Sequence, residues 1–324
     1  MPDIICLGEV IVDMIAMDPD AGLGGTRGFY KFPGGATANV AVGICRMGGQ
    51  SGFLGAQADD HFGRYLMDAI KKEGVDVSRM NIRPGEISVI GFLSVKSDQT
   101  KEVIFYRDPS SEIFLKPEEI DSEYFQSAKI FHFGIICMGS DARRETTRKC
   151  LKVAKENGCL VSLDVNYRPH AWPSHETARR YFYEALEHVD ILKIADEEWP
   201  LLFENEWDKR GEAELLDKGV KIIVISEGIR GATLVTPDVR ISVPAFNINS
   251  IETTGAGDAF TASSLSSIVG KLKEGSKIYE LDEDDWREIL RKANAAGGLA
   301  CTKPGAIPAI PTMKEIESLL EESS

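Results

Sequence analysis

One short stretch near the end of the chain, TTGAGDAF at residues 253–260, combines three small residues with a carboxylate. Backbone N–H groups at the start of a helix bind anions, and Gly255, Ala256 and Gly257 leave those groups accessible. Asp258 in the first turn can accept a proton from a hydroxyl. Phosphoryl transfer needs both features, so the stretch predicts an anion hole beside a general base. A glycine-led helix start with an acidic first turn is an equally good interpretation of this motif alone.

Two familiar phosphate-binding motifs are missing from the sequence. The pair Gly255 and Gly257 lacks a third glycine at position 260, so it is no dinucleotide fingerprint. Gly270 and Lys271 are followed by leucine, and no GxxxxGK[ST] segment occurs. If the protein uses ATP, a P-loop does not hold the phosphates.

A second candidate region lies near the start of the chain, in FPGGATANVAVG at residues 32–43. Gly34 and Gly35 allow a ligand to approach the backbone. Asn39 falls in the first turn of the helix predicted next and can bond a hydroxyl. Asp13 closes GEVIVD at the end of the first predicted strand, an edge where ligands bind in open α/β sheets. A flexible turn with a cap, and an exposed loop aspartate, are the alternatives.

Alternating strands and helices must position these residues. Apolar runs such as 3–12, 128–134 and 221–228 predict strands, and amphipathic stretches between them predict helices. This order predicts an α/β fold with a mostly parallel sheet covered on both faces. Residues 14–32 and 86–115 alternate like antiparallel strands instead, with KSDQTK as a turn. We therefore predict a main domain of 1–13, 33–85 and 116–324, and a β lid of 14–32 and 86–115.

Composition excludes several classes of function. The net charge is −14 and the pI is near 5.0, which disfavours a nucleic acid or an anionic membrane as the partner. A small phosphate ligand remains compatible, because it responds to the local field. The six cysteines form no CxxC pair and predict reduced thiols in a cytoplasmic protein. No apolar run approaches the roughly 20 residues that span a bilayer.

Taken together, Asp13, the Gly34–Gly35 pair, Asn39 and the TTGAGD segment resemble the ribokinase-like sugar kinases of the PfkB family over essentially the whole chain. The resemblance implies a three-layer αβα sandwich with a small β-sheet lid, and the use of ATP and Mg²⁺. It makes Asp258 the catalytic base, with residues 255–257 as the anion hole.

The same resemblance implies roles for two further sets of residues. The residues at positions where the family holds sugar hydroxyls are Asp13, Gly34, Gly35 and Asn39. The residues at positions that lie along the nucleotide are Ser226, Gly228, Gly231 and Asn294.

Two stretches narrow the resemblance to fructokinases. FYRDPSSEIFL and LDVNYRPHAWPS are similar to fructokinase segments, and they imply that Arg107 and Arg168 reach the sugar or the phosphates. The implied reaction converts D-fructose to fructose 6-phosphate. The alternatives that stay open for the acceptor are 2-keto-3-deoxygluconate, ribose and a ketose other than fructose. A sugar-binding sensor without catalysis is the alternative of another class. FHFGIICMG lacks a counterpart of the ribokinase glutamate, which disfavours ribose.

Departures from the family pattern concern the ions. Loops that bind a monovalent cation in some relatives match Glu252, Thr254, Ala300, Lys303 and Gly305. Glutamate replaces the usual aspartate at 252, and Ala309 replaces a serine, so dependence on K⁺ stays open. Glu198 matches the Mg²⁺-linked glutamate, but Ala195 replaces its asparagine, which implies metal contact through water. The resemblance also implies a homodimer formed through the lid.

Overall fold

The computed structural model describes residues 1–97, 100–107, 113–203 and 207–323. The strands are β1 Ile4–Leu7, β2 Ile11–Ala16, β3 Phe29–Gly34, β4 Ser51–Ala58, β5 Met80–Arg83, β6 Ile90–Val95, β7 Lys101–Tyr106, β8 Ile130–Gly134, β9 Leu160–Asp164, β10 Ile191–Ala195, β11 Ile222–Ser226, β12 Ala232–Val235 and β13 Arg240–Val243. The helices are α1 Gly22–Gly25, α2 Ala36–Arg46, α3 His61–Lys72, α4 Asp141–Glu156, α5 His175–Leu186, α6 Trp199–Leu202, α7 Lys209–Asp217, α8 Ala256–Lys273, α9 Glu283–Ala300, α10 Ala306–Ala309 and α11 Met313–Glu322.

Nine strands form the large sheet in the order β13-β12-β11-β10-β9-β8-β1-β4-β5. Neighbouring strands are parallel except at one end, where β12 is antiparallel to both β11 and β13. Successive residues of β1 pack into different cores: Ile4 joins one apolar cluster and Ile5 the other. Both faces of the sheet are therefore buried, which confirms the predicted α/β fold and explains why its strands read as continuous apolar runs.

The predicted strand over residues 3–12 is wrong, because it is two strands in two different sheets. The ladder between β1 and β4 ends near Gly8, whose N–H donates to the Leu54 carbonyl at 3.1 Å. A Cβ on Gly8 would lie 1.9 Å from Thr37 Oγ1, so the chain passes close to α2 at this point. Asp13 consequently lies inside β2, not at the end of the first strand of the large sheet. Both sheets bury this segment, so its apolar run gives no sign of the break.

The small sheet has the order β3-β2-β6-β7. Its β6–β7 hairpin is antiparallel as predicted, whereas β2 and β6 are parallel neighbours. Its strands reach from residue 11 to 34, slightly beyond the predicted 14–32, and from 90 to 106, within the predicted 86–115. Short helical turns occupy residues 19–25. Residues 98–99 of the predicted turn, and 108–112 of the fructokinase-like stretch, lie outside the described residues. The division into main domain and lid stays a prediction.

Two remaining sequence predictions concern thiols and membrane spans. All six cysteines are free thiols, in agreement with the prediction. In the described part of the chain, no helix has the length and apolarity required to cross a bilayer.

Candidate active site

Two helices from distant parts of the chain meet at the candidate site. The side-chain amide of Asn39 on α2 donates to Asp258 Oδ2 on α8 at 2.7 Å, and both side chains are buried. The helices can approach closely because a Cβ on Gly43 would lie only 2.6 Å from Ala262 Cβ. The other amide atom, Asn39 Oδ1, is buried and has no hydrogen-bond partner within the described residues. A buried acceptor without a partner is costly, so this atom is available to a ligand donor.

Asp13 completes this group from the small sheet. A Cβ on Gly34 would lie 1.9 Å from Asp13 Oδ2, so only glycine fits beside the carboxylate. Gly35, the N-cap of α2, has a φ of 111°, and a Cβ there would lie 2.3 Å from the Glu9 carbonyl oxygen. The glycine pair thus permits the close contact that brings β2 against the start of α2.

The two buried aspartates titrate near neutral pH. Burial, together with the negative charges of Asp258 and Glu252, raises the pKa of Asp13 to about 7. Burial also raises the pKa of Asp258 to about 6, although the Asn39 hydrogen bond opposes the shift. A carboxylate with a pKa close to the working pH suits a general base. Asp13 and Asp258 are therefore electrostatically coupled, and Asn39 is hydrogen-bonded to Asp258.

The start of α8 has the backbone that an anion hole requires. Gly255 is left-handed, with a φ of 80°, and a Cβ there would lie 3.0 Å from Ala306 Cα. The Ala256 N–H already donates to the Thr253 carbonyl at 3.2 Å. Gly257 lies next to a buried lysine, since a Cβ on it would be 3.4 Å from Lys193 Nζ.

Sequence reasoning missed this lysine and its partners. Lys193 Nζ lies 3.1 Å from Asp164 Oδ1, and Thr261 donates to Asp164 Oδ2 at 3.3 Å. Burial opposes the charge of Lys193, but Asp164 and Glu198 hold its pKa above the ordinary value. The missed signal is a lysine inside the apolar strand DILKIA, because charged residues are seldom buried without a partner or a function.

Glu198, the predicted contact for Mg²⁺ through water, is fixed by backbone donors. The N–H groups of Tyr167 and Ala195 donate to its two oxygens at 2.6 and 2.9 Å. Burial raises the pKa of Glu198, while Lys193 lowers it. Both oxygens keep a further lone pair, so the carboxylate fits contact with a hydrated cation.

The two predicted arginines lie in different environments. Arg107, just after β7, donates to both oxygens of Glu9 at 2.8 Å, and Arg143 joins them at 3.0 Å. Burial would raise the pKa of Glu9, but the two arginines bring it below its ordinary value. Arg168 is exposed, and its charge lowers the pKa of Asp258.

The predicted nucleotide residues lie at the end of β11 and beside the β13 end. Ser226 is half-buried, Gly228 is exposed with a φ of 55°, and Gly231 has a φ of 110°. A Cβ on Gly231 would lie 2.1 Å from the Val243 carbonyl oxygen, so this glycine is required by packing. Asn294 on α9 donates to the carbonyls of Val243 and Pro244 at 2.9 and 3.2 Å. Its amide therefore supports the backbone.

The two loops predicted to hold a monovalent cation face each other. The Gly305 N–H donates to Glu252 Oε2 at 3.0 Å, and the Glu252 N–H donates to the Cys301 carbonyl at 3.2 Å. Glu252 Oε1 is buried without a hydrogen-bond partner in the described chain. Thr254 lies on the first of these loops and Ala300 ends α9 just before the second, whereas Lys303 pairs with Glu315 at the surface. A buried carboxylate oxygen without a donor fits a cation.

Comparisons with known proteins identify the family of this chain. The chain matches the pfkB family carbohydrate kinase over residues 1–313. It is 38% identical over 320 residues to a protein named probable fructokinase-3 from Arabidopsis thaliana, covering 98% of this chain and 91% of that one. Fructokinase with bound ATP from Xylella fastidiosa superposes with a TM-score of 0.89 at 27% identity, covering 100% and 99% of the two chains. A double mutant of fructokinase from Vibrio cholerae, in its fructose-, ADP- and potassium-bound form, gives 0.86 at 27% identity and covers 98% of each.

Proposed function

Since the chain belongs to the pfkB family of carbohydrate kinases, and is therefore an ATP-dependent sugar kinase, we propose that its acceptor is D-fructose and its product fructose 6-phosphate. The fructokinase names of the relatives support the choice of sugar. The acceptor atom in this proposal is the oxygen of the primary hydroxyl, which attacks the γ-phosphorus of ATP.

One observation carries the proposal: the Asn39–Asp258 hydrogen bond leaves two acceptors in a buried site. Asn39 occupies Asp258 Oδ2, so Asp258 Oδ1 is free to take the proton of the attacking hydroxyl. Asn39 Oδ1 lacks a donor, and a neighbouring sugar hydroxyl supplies one. Asp13 accepts from further hydroxyls, because an ionised carboxylate bonds two of them at once. A polyol is the ligand that satisfies all three side chains.

The start of α8 stabilises the phosphoryl group during transfer. Its backbone N–H groups at Gly255 and Gly257 and the positive end of the helix face the developing charge. Lys193 adds a buried positive charge beside Gly257. Asp164 keeps this lysine protonated and in place. Ser226 and Gly228 border the nucleotide from the end of β11.

Two cations complete the proposal. Mg²⁺ neutralises charge on the phosphates when it is bound, and Glu198 holds it through water. A potassium ion between the 252–254 and 300–305 loops supplies the missing partner of Glu252 Oε1. Thermal unfolding in KCl, NaCl and CsCl at equal ionic strength tests this site without an activity assay. We expect the melting temperature to be highest in KCl for the wild type and equal in all salts for Glu252→Gln.

The proposal also includes the oligomeric state and the location of the protein: two chains associate through the lid as a homodimer, in the cytoplasm. A cavity of about 510 Å³ opens on the small sheet and is lined by apolar side chains, namely Leu23, Phe29, Ile90, Phe92, Ile104 and Tyr106. Tyr106 is 61% exposed and Ile104 is 47% exposed, and an apolar surface of this kind favours association. Sedimentation velocity of the wild type and Tyr106→Glu tests this part, and we expect the variant to be monomeric.

The acceptor is tested by a coupled assay of ADP formation over a panel of sugars. The panel contains fructose, ribose, 2-keto-3-deoxygluconate and glucose, and NMR of the product identifies the phosphorylated carbon. We expect fructose to have the highest kcat/KM and to be phosphorylated on carbon 6. A higher kcat/KM with 2-keto-3-deoxygluconate than with fructose would mean that this acid, and not fructose, is the acceptor. Binding of fructose without ADP formation would contradict the catalytic role of the site.

A further inference from the structure

Three residues of α2 form one stripe that contacts the candidate site. Asn39, Gly43 and Arg46 are spaced at i, i+4 and i+7, so they lie on one face of the helix. Asn39 bonds Asp258, and Gly43 allows close contact with Ala262, both on α8. Arg46, in the last turn, has no role in the proposed chemistry. The residues that Arg46 bonds nevertheless belong to a segment that contacts the same site.

Arg46 ties the end of α2 to the segment around α10. Its Nη1 donates to the Ile307 and Ile310 carbonyls at 2.7 and 2.8 Å. Its Nε and Nη2 donate to the two oxygens of Glu73 at 2.7 and 2.8 Å, which fixes the plane of the guanidinium. Four charge-assisted hydrogen bonds on a side chain that is 19% exposed make a rigid connection.

The segment that Arg46 holds touches the predicted anion hole and the cation loops. Ala306 lies against Gly255, with its Cα 3.0 Å from where a Cβ would be. The Gly305 N–H donates to Glu252 at 3.0 Å. Gly305 also packs on the Phe32 ring of the small sheet, 3.0 Å from a hypothetical Cβ. A shift of residues 305–310 would therefore move the start of α8 relative to Asn39.

We propose that Arg46 is a positioning residue for phosphoryl transfer, which keeps residues 305–310 against Gly255 and so sets the anion hole in register with Asp258. The proposal rests on the proposed function, because it gives the start of α8 a role in the transition state. Small displacements of catalytic groups have large effects, since a shift of about 1 Å can reduce the rate by roughly 10²-fold.

The alternative is that Arg46 only stabilises the fold. A second arginine, Arg83, provides a matched control for this alternative. Arg83 on β5 donates to both oxygens of Glu119 and, at 2.9 Å, to the Phe114 carbonyl. It is 17% exposed, close to the value for Arg46. Its partners belong neither to residues 252–258 nor to 305–310, so its loss removes similar bonds without moving the start of α8.

The experiment compares Arg46→Ala with Arg83→Ala by thermal unfolding and by steady-state kinetics, with rates expressed per folded molecule. We expect similar losses of melting temperature. We expect kcat to fall at least ~10-fold in Arg46→Ala alone, while the KM values for sugar and ATP change less than ~2-fold, because the anion hole acts on the transition state. Equal kcat values in the two variants would overturn the proposal.

Two milder variants keep the test valid if Arg46→Ala does not fold. Arg46→Lys retains the charge but not the fork, and we expect its kcat to lie between those of the wild type and Arg46→Ala. Glu73→Gln leaves the carbonyl contacts and weakens the orientation of Arg46, so a smaller fall in kcat is expected. A wild-type kcat in Arg46→Lys and Glu73→Gln would also overturn the proposal. Asp258→Asn distinguishes failure of the Arg46 proposal from failure of the proposed function. A wild-type rate in Asp258→Asn would contradict the proposed function itself.

Discussion

The sugar side and the nucleotide side of the candidate site are built differently. On the sugar side, Asp13, Asn39 and Asp258 are buried side chains that bond or repel one another. On the nucleotide side, Ser226 is half-buried, Gly228 is exposed, and the amide of Asn294 supports the backbone at residues 243–244. Under the proposed function, side-chain charge recognises the sugar, and the shape of the backbone is the main feature that recognises the nucleotide.

This contrast has an energetic consequence. The buried carboxylates of the sugar side destabilise the fold at neutral pH, since their raised pKa values mean that burial disfavours the ionised form. The predicted nucleotide residues Ser226, Gly228, Gly231 and Asn294 have no ionisable side chain. Replacement of the carboxylates on the sugar side should therefore lower activity and raise stability, whereas replacement of Asn294 should lower stability and have little effect on activity.

The largest effect is expected for Asp258→Asn. The variant keeps the Asn39 contact but cannot accept a proton, so kcat should fall at least ~10²-fold, the lower end for a general base. Circular dichroism should show an intact fold. Steady-state assays with purified protein measure the rate, and a near-wild-type kcat would remove Asp258 from the mechanism.

Asp13→Asn should act on sugar binding. A hydrogen bond to a charged group contributes ~1.5–3 kcal/mol, so the KM for sugar should rise at least ~10-fold while the KM for ATP is unchanged.

The folded-state pKa of Asp13, about 7, exceeds the ordinary value of 3.8, so the wild type loses stability as the pH rises from about 4 to about 7. Thermal unfolding should thus find the variant more stable at pH 8 and similar at pH 4. A lower melting temperature at pH 8 would contradict the buried charge.

Acid should inhibit the sugar side through the same two groups. Asp13 and Asp258 must both be ionised, with pKa values of about 7 and about 6. Below pH 6 the wild-type kcat/KM for sugar should therefore fall with a slope approaching two on a logarithmic plot, and Asp13→Asn should reduce that slope to one. The KM for ATP should stay constant between pH 6 and 8. A strong rise in this KM below pH 7 would mean that the nucleotide side also depends on a titrating carboxylate.

The smallest effect on activity is expected for Asn294→Ala. Loss of two hydrogen bonds to backbone carbonyls should destabilise the fold by ~1–3 kcal/mol. The KM for ATP should change less than about threefold, equivalent to under ~1 kcal/mol. Urea unfolding and ATP titration measure the two quantities. A large rise in KM at unchanged stability would restore Asn294 as a nucleotide ligand and weaken the comparison.

Local patterns were sufficient for much of the fold. The sequence pattern predicts the strands β1, β8 and β11 and the amphipathic helices α3 and α4. Burial on one or both faces of an element selects its residue types, so these elements have a local sequence signal. The same patterns could not separate β1 from β2, since a segment that moves between two sheets stays buried throughout. They also could not predict that β2 and β6 pair in parallel, because pairing across 78 residues, as between Val12 and Ile90, leaves no local sign.

The sequence by itself determined which side chains are available for phosphate chemistry, since glycine before an aspartate at a helix start is a local requirement of backbone geometry. Only the tertiary structure decided what each of them contacts. Asn39 faces Asp258 across 219 residues, Arg107 pairs with Glu9, and Lys193 lies beside Gly257. These contacts depend on how helices and sheets pack, and packing is set by the summed burial of the whole chain, which no short motif records.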